Sequence, residues 1–175
     1  MADGCEEIEG LTVVDILRRA GVPVDMVSIG IDTRVTGSHG IAFEADITAQ
    51  MVDWSAYGGI ILPGGMPGTL NLKKNEYVRA AVREYDKEGK LVAAICAAPT
   101  VLADCGVLNG RSATCYPGME NQLTGANVST DSVVLDGHII TSRGVGTAIP
   151  FALAIVAYLT DRKTADELAR SIVYA

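Results

Sequence analysis

The stretch AAICAAP, residues 93–99, sets one cysteine between an apolar run and a group of very small residues. Cysteine is a nucleophile only as its thiolate, so its surroundings decide whether it reacts. A free cysteine can also pack as a small hydrophobe and do nothing more. The neighbouring residues favour chemistry. KLVAAI (residues 90–95) reads as a strand that delivers Cys96 to the carboxyl edge of a sheet, where open α/β folds place their sites. Ala97 and Ala98 are small enough for a sharp turn, and Pro99 suits the first turn of a helix. This is the layout of a nucleophile elbow with cysteine in place of serine. It predicts a strained backbone at Cys96 and a thiolate favoured by the helix N-terminus beside it.

A second group of interest is the PGG run at residues 63–65. Such glycines often make only a tight turn. Here Gly64 and Gly65 end a buried run, GIIL, at the same sheet edge, so a backbone N–H directed at Cys96 is the better reading. Glu6 and Glu7 fit a helix's first turn, where acids complement the dipole. Asp3 and Glu6 have capping-box spacing. Arg143 and Thr147 read as a turn and a helix cap, and Arg18 and Arg19 as complements to a helix end. The four cysteines, Cys5, Cys96, Cys105 and Cys115, form no CxxC pair, and His39 and His138 are far from ligand-like spacing. No metal and no cofactor is therefore expected. A phosphate-binding GxxxxGK[ST] loop is absent, which argues against a kinase.

These residues need a scaffold, and the chain supplies an alternation of apolar β-branched runs with helical periods. EEIEGLTVVDILRR followed by Gly21 reads as a helix, VPVDMVSIG as a strand, and NEYVRAAVREYDKEG as an exposed amphipathic helix. APTVLADCG is a short helix closed by Gly106, and RSATC, SVVLD and HIITS are short strands. GTAIPFALAIVAYLT and TADELARSIVY complete the chain as helices. The expected architecture is a single domain over residues 1–175, with a mostly parallel sheet and helices on both faces. One strand is missing from this pattern. A parallel α/β sheet normally opens with a strand, whereas MADGCEE starts at a strand-to-helix turn. A short β-branched strand is expected upstream of Ala2 in the natural reading frame.

Composition narrows the partners. Asp and Glu outnumber Lys and Arg by 21 to 14, which disfavours nucleic acid and anionic membranes. The longest apolar run, residues 151–159, is too short to span a bilayer, and no signal peptide is visible. Free thiols without an export signal fit a reducing, cytoplasmic setting.

Together AAICAAP, ILPGG, ADGCEEIE (residues 2–9) and TSRGVGTA (residues 141–148) resemble the ThiJ/PfpI superfamily, in its Parkinson-disease protein deglycase-like branch with bacterial relatives. The resemblance implies a flavodoxin-like three-layer sandwich, a homodimer, and a carboxylic acid from the first helix touching the elbow sulfur. That acid maps onto Glu9. Held protonated in an apolar pocket, it would donate to the thiolate and lower the sulfur's pKa. The oxyanion-type pocket maps onto the backbone N–H groups of Gly65 and Ala97, with Gly64 beside them. Two positions depart from the family pattern. Tyr116 stands where human-like relatives carry a histidine, and His39 stands close to where an arginine approaches across the dimer. Cys115 is either a second thiol near the pocket or an ordinary core residue.

Three functions follow as expectations. The first is an enzyme acting on reactive dicarbonyls or their adducts, glyoxalase- or deglycase-like, with Cys96 as nucleophile and Glu9 moving protons. The second is a redox sensor or chaperone-like stress protein in which an oxidant carries Cys96 to the sulfinate. The third, a cysteine peptidase or amidotransferase, needs a histidine base that neither His39 nor His138 clearly supplies.

Overall fold

The computed structural model describes residues 1–174. Helix α1 (Glu7–Arg19) leads into four short strands, β1 (Val27–Ser28), β2 (Arg34–Thr36), β3 (Ala42–Glu44) and β4 (Ile47–Thr48). Then follow β5 (Gly59–Leu62), α2 (Gly68–Lys74), α3 (Glu76–Glu88), β6 (Leu91–Ile95) and α4 (Pro99–Asp104). The remainder comprises β7 (Ser112–Ala113), β8 (Asn127–Val128), β9 (Val133–Asp136), β10 (Ile139–Ser142), α5 (Ala148–Leu159) and α6 (Arg162–Ser171).

The main sheet has the order β5–β6–β10–β9, parallel except for the β9–β10 hairpin turned at Asp136 and Gly137. Its layered character is legible in β6, where all five residues are buried and alternate residues serve opposite cores. Val92 and Ala94 pack on one side with Leu72, Val78, Val82, Val101 and Leu102 from α2, α3 and α4. Leu91, Ala93 and Ile95 pack on the other with residues of α1, α5 and α6, centred on the fully buried Phe151. The molecule is thus a three-layer α/β sandwich of the expected flavodoxin-like kind. No helix of the described residues is long and apolar enough to cross a membrane.

Local signals explain the helix ends. Asn75 caps α3 by accepting from Val78 N–H at 3.1 Å, and Gly89 closes it at φ 70 in the left-handed region. At α1 the expected capping pair is corrected. The N-cap is Glu6, whose Oε2 accepts from Glu9 N–H at 2.7 Å, while Asp3 accepts from Thr36 N–H instead. The strand read over residues 22–30 narrows to Val27–Ser28, because Met26 N–H is taken by the Asp46 carboxylate rather than by a ladder.

The sheet is divided where a first strand was missing from the sequence pattern. β1 pairs only with β4, β5 pairs only with β6, and no strand of the described residues lies between β1 and β5. Replacing Phe151 by alanine is expected to destabilise the fold by about 3–5 kcal/mol, the usual cost of emptying a buried aromatic site. Urea unfolding followed by circular dichroism checks this.

Candidate functional site

β6 ends at Ile95, and the next residue carries the strain. Cys96 has φ 64, a left-handed conformation that residues with a Cβ rarely adopt. Its backbone is clamped from both sides. Cys96 N–H donates to Ser142 O at 3.0 Å, and Cys96 O accepts from Tyr116 N–H at 2.8 Å. Ala97 and Ala98 are buried, which explains why the turn uses such small residues, and α4 begins at Pro99. The elbow expected around Cys96 is therefore present in the backbone.

Glu9 is fully buried on α1, an unusual place for a carboxyl. Gly64 N–H donates to its Oε2 at 2.9 Å, while its Oε1 is buried without a standard hydrogen-bond partner. Gly64 shows how tightly the parts converge. A Cβ there would lie 2.6 Å from Cys96 Cβ, 2.7 Å from Glu9 Oε2 and 3.0 Å from Cys96 Sγ. Gly65 has φ 87, and a Cβ on it would meet Glu6 N at 2.2 Å. Only glycines let the end of β5 touch both the start of α1 and the elbow.

The electrostatics of the pair differ from the sequence expectation. Burial pushes the Glu9 carboxyl up to about 7, against the opposing pull of Cys96 and the Gly64 N–H. Burial also pushes the Cys96 thiol up to about 12, with the Glu9 charge and its hydrogen bond adding to the rise. The Gly65 and Ala97 backbone N–H groups face the sulfur and pull the other way, with smaller effect. A thiol depressed by a helix N-terminus was expected. α4 spans only six residues, Pro99–Asp104, and loss of solvent dominates at the sulfur. Two negative charges in one dry pocket are disfavoured, so the Cys96–Glu9 pair retains one proton near neutral pH and titrates as a unit.

The other expected residues are distributed unequally. Tyr116 is half exposed, and its ring lies close to Gly144, itself close to Glu9 Oε1, so it borders the same pocket. Cys115 is fully buried in the hydrophobic cluster beneath α4, a core residue rather than a second pocket thiol, and burial pushes it up to about 11. His39 is not held by Cys96 or Glu9. Its Nδ1 lies 2.9 Å from Glu7 Oε2 and 3.8 Å from Glu6 Oε1. Thr147 does tie the turn before α5, bonding Gly144 and Ser142, and Arg143 pairs with Glu120 at 3.6 Å.

Glu6 and Glu7 carry more than the dipole role read from sequence. Both are buried. Burial alone would raise the Glu7 carboxyl, but the His39 side chain and the backbone amides of Glu7, His39 and Ile41 outweigh it and hold the group down at about 2. Ligand-type atoms of Glu6, Glu7 and His39 lie within 4.8 Å of one another. The Glu7 oxygens are already engaged by His39 and by backbone amides, so the trio reads as an anchor between α1 and the β2–β3 hairpin. The sequence signal available was the acidic pair beside GSHG, which has no meaning until the hairpin folds back.

A family model described as the DJ-1/PfpI family matches residues 1–158. The chain is 38% identical over 177 residues to Protein dj-1beta of Drosophila melanogaster, covering all of this chain and 95% of that one. It is 33% identical over 144 residues to Deglycase PH1704 of Pyrococcus horikoshii, covering 81% and 86% of the two chains. Among solved structures it superposes on oxidized Toxoplasma gondii DJ-1 with a TM-score of 0.95 at 34% identity, covering 99% and 95%.

Two outcomes follow from the contacts. Gly64→Ala is expected to force Cys96 and Glu9 apart and destabilise the fold by about 1–3 kcal/mol, measurable by thermal unfolding. Glu7 ionises near 2 when folded against an ordinary 4.5, so its stabilisation is complete above about 4.5 and is lost as the pH falls towards about 2. Urea unfolding across that window should show a loss of about 3 kcal/mol that Glu7→Gln abolishes.

Proposed function

We propose that this chain, which belongs to the DJ-1/PfpI family, acts on small reactive dicarbonyls or their adducts through Cys96 and Glu9. The observation that carries this reading is the convergence at Gly64 of a cysteine on a strained elbow and a fully buried carboxyl. The word deglycase in the name of the Pyrococcus relative lends support.

The chemistry is coherent for methylglyoxal. The Cys96 sulfur forms a bond to the aldehyde carbon, and the carbonyl electron pair moves to oxygen, which takes up a proton. The Gly65 and Ala97 N–H groups, beside the sulfur, are placed to hold that oxygen while charge develops. Glu9 removes the proton from the former aldehyde carbon and returns one to the neighbouring carbon, while the hydroxyl proton passes from the first oxygen to the second, leaving a lactoyl thioester. Water then breaks the carbon–sulfur bond, releasing lactate and restoring the thiol. The sum is methylglyoxal plus water giving lactate, with no external oxidant. A single proton shared by Cys96 and Glu9 suits this sequence, because the pair alternates between base and acid without changing its total charge. Tyr116, at the pocket edge, is placed to donate a hydrogen bond to the substrate.

A second reading has its own support. The Toxoplasma relative was solved in an oxidized form, and peroxide acting on Cys96 would yield a sulfinate beside Glu9. The working form is proposed as a homodimer in a cytoplasmic setting. Ile8 and Ile41, both more than half exposed on either side of the Glu7–His39 anchor, supply apolar surface for a second copy.

Purified protein incubated with methylglyoxal is expected to form lactate, with Cys96→Ser and Glu9→Gln each lowering turnover at least 100-fold, as loss of a proton-transfer group does. Below about 7 the pair holds both protons, so the rate should rise as pH is raised through that value. Undiminished lactate formation by Cys96→Ser would refute the reading. Absence of lactate with selective gain of two oxygen atoms on the Cys96 peptide under mild peroxide would select the redox alternative. Light scattering at micromolar protein should give a dimer mass.

A further inference from the structure

Cys96 is held in its strained conformation by two backbone hydrogen bonds, and both lead to the same place. Ser142 O accepts from Cys96 N–H at 3.0 Å, and the chain runs on from Ser142 to Gly144. Tyr116 N–H donates to Cys96 O at 2.8 Å, and a Cβ on Gly144 would lie 3.5 Å from the Tyr116 ring. The same Cβ would lie 3.8 Å from Glu9 Oε1, the buried oxygen without a standard hydrogen-bond partner. Both clamps on the elbow and the free oxygen of the carboxyl thus converge on Gly144, which is itself buried.

Gly144 is fixed at both its backbone groups by one residue. Its N–H donates to Thr147 Oγ1 at 3.0 Å, and its carbonyl accepts from Thr147 N–H at 2.8 Å. Thr147 Oγ1 lies 2.7 Å from Ser142 Oγ, and Ser142 Oγ donates to Ser132 O at 2.7 Å. One placement of the two hydroxyl protons satisfies every member, running from Gly144 N–H through Thr147 and Ser142 to Ser132 O. Hydrogen bonds aligned in this way polarise and strengthen one another. Ser142 is fully buried, so its hydroxyl has no solvent to turn to once the chain is cut. α5 starts directly after Thr147, and its Phe151 shares a core with Val13, Ile16 and Leu17 of α1, the helix that carries Glu9. The turn therefore joins the strand end that holds the sulfur to the helix layer that holds the carboxyl.

We infer that Thr147 and Ser142 are positioning residues for the Cys96–Glu9 pair, their hydroxyl chain keeping Gly144 against Glu9 and Ser142 O against the elbow N–H. They act through the backbone of the turn and not on the reacting atoms. A conformation as strained as that of Cys96 persists only where its surroundings over-determine it, and this chain is one of those constraints. Gly144 also stands between Glu9 Oε1 and the half-exposed Tyr116. Released from Thr147, the turn shifts and solvent reaches that oxygen. Burial holds the Glu9 carboxyl up at about 7, so hydration lets it fall towards its ordinary 4.5. Cys96 on the elbow, Glu6 on α1 and Tyr116 across Gly144 are the ionisable groups around it, and Arg143 beside Gly144 is paired with Glu120. Turnover of methylglyoxal rests on the reaction proposed above, whereas the titration of Glu9 does not.

Thr147→Val keeps the shape of the side chain and removes its hydroxyl, whereas Thr147→Ser keeps the hydroxyl. The Glu9 carboxyl is titrated by carbon-13 NMR of glutamate-labelled protein, its signal assigned by its loss in Glu9→Gln. Thr147→Val is expected to lower the Glu9 midpoint by at least ~0.5 pH unit. It should also lower kcat for methylglyoxal about tenfold or more with KM within about twofold, because the reacting groups are misplaced while substrate binding is kept. Thr147→Ser should restore both. Urea that costs the parent protein the same stability should leave its Glu9 midpoint in place, which separates positioning from general loosening. An unmoved midpoint in Thr147→Val, no recovery in Thr147→Ser, or an equal shift in the urea-treated parent would overturn the proposal. If Thr147→Val does not fold, Ser142→Ala is read in its place, and failure of both to fold overturns the proposal by assigning the hydroxyls to folding alone. A shifted midpoint in a protein whose parent forms no lactate would support the positioning and reject the dicarbonyl reading.

Discussion

Everything at the pocket depends on the close approach of three chain segments through glycine. Gly64, Gly65 and Gly68 follow β5, and a Cβ on any of them would collide with Cys96, Glu6 or Cys5. Their bare backbone lets the strand end lie directly on the first turn of α1. From that contact the rest follows. Glu6 can cap α1, Gly64 can donate to Glu9, and the carboxyl is pressed against the elbow sulfur. A single methyl group at Gly64 would have to occupy the space where the two functional groups meet.

The same approach sets the energetics. Burying either the thiol or the carboxyl alone would favour a neutral side chain. Burying them together links their fates, since whichever ionises first raises the cost of the second. Glu7, one residue after the cap, has the opposite fate although it is also buried. It faces a histidine and several backbone amides, and so stays ionised far below the ordinary carboxylate range. Three acids within one turn of α1 thus serve as a cap, an anchor and a proton-holding group, separated by what faces each of them.

Much of the scaffold was legible because its signals are local. The elbow could be read from Ala97, Ala98 and Pro99, the ends of α3 from Asn75 and Gly89, and the core strand from the unbroken apolar run of β6. What escaped was non-local. The β2–β3 hairpin carries His39 back to Glu7 across 32 positions, and no pattern near either residue announces that pairing. α2 has too few residues to display a helical period. Glu9 could be singled out only by resemblance, because acids in a first helical turn are ordinary and its distinction is burial beneath Gly64. The sulfur's elevated pKa escaped for a related reason. A helix start is visible in a sequence, whereas the solvent withheld from a side chain is not.

The left-handed backbone at Cys96 bears on what the elbow demands of the fold. A residue with a Cβ is disfavoured in that region by roughly 1–2 kcal/mol, whereas glycine enters it freely. The protein therefore keeps a cysteine at a position where glycine would give a steadier fold. Stability is given up at one residue, and what is gained is a sulfur whose direction the main chain itself fixes.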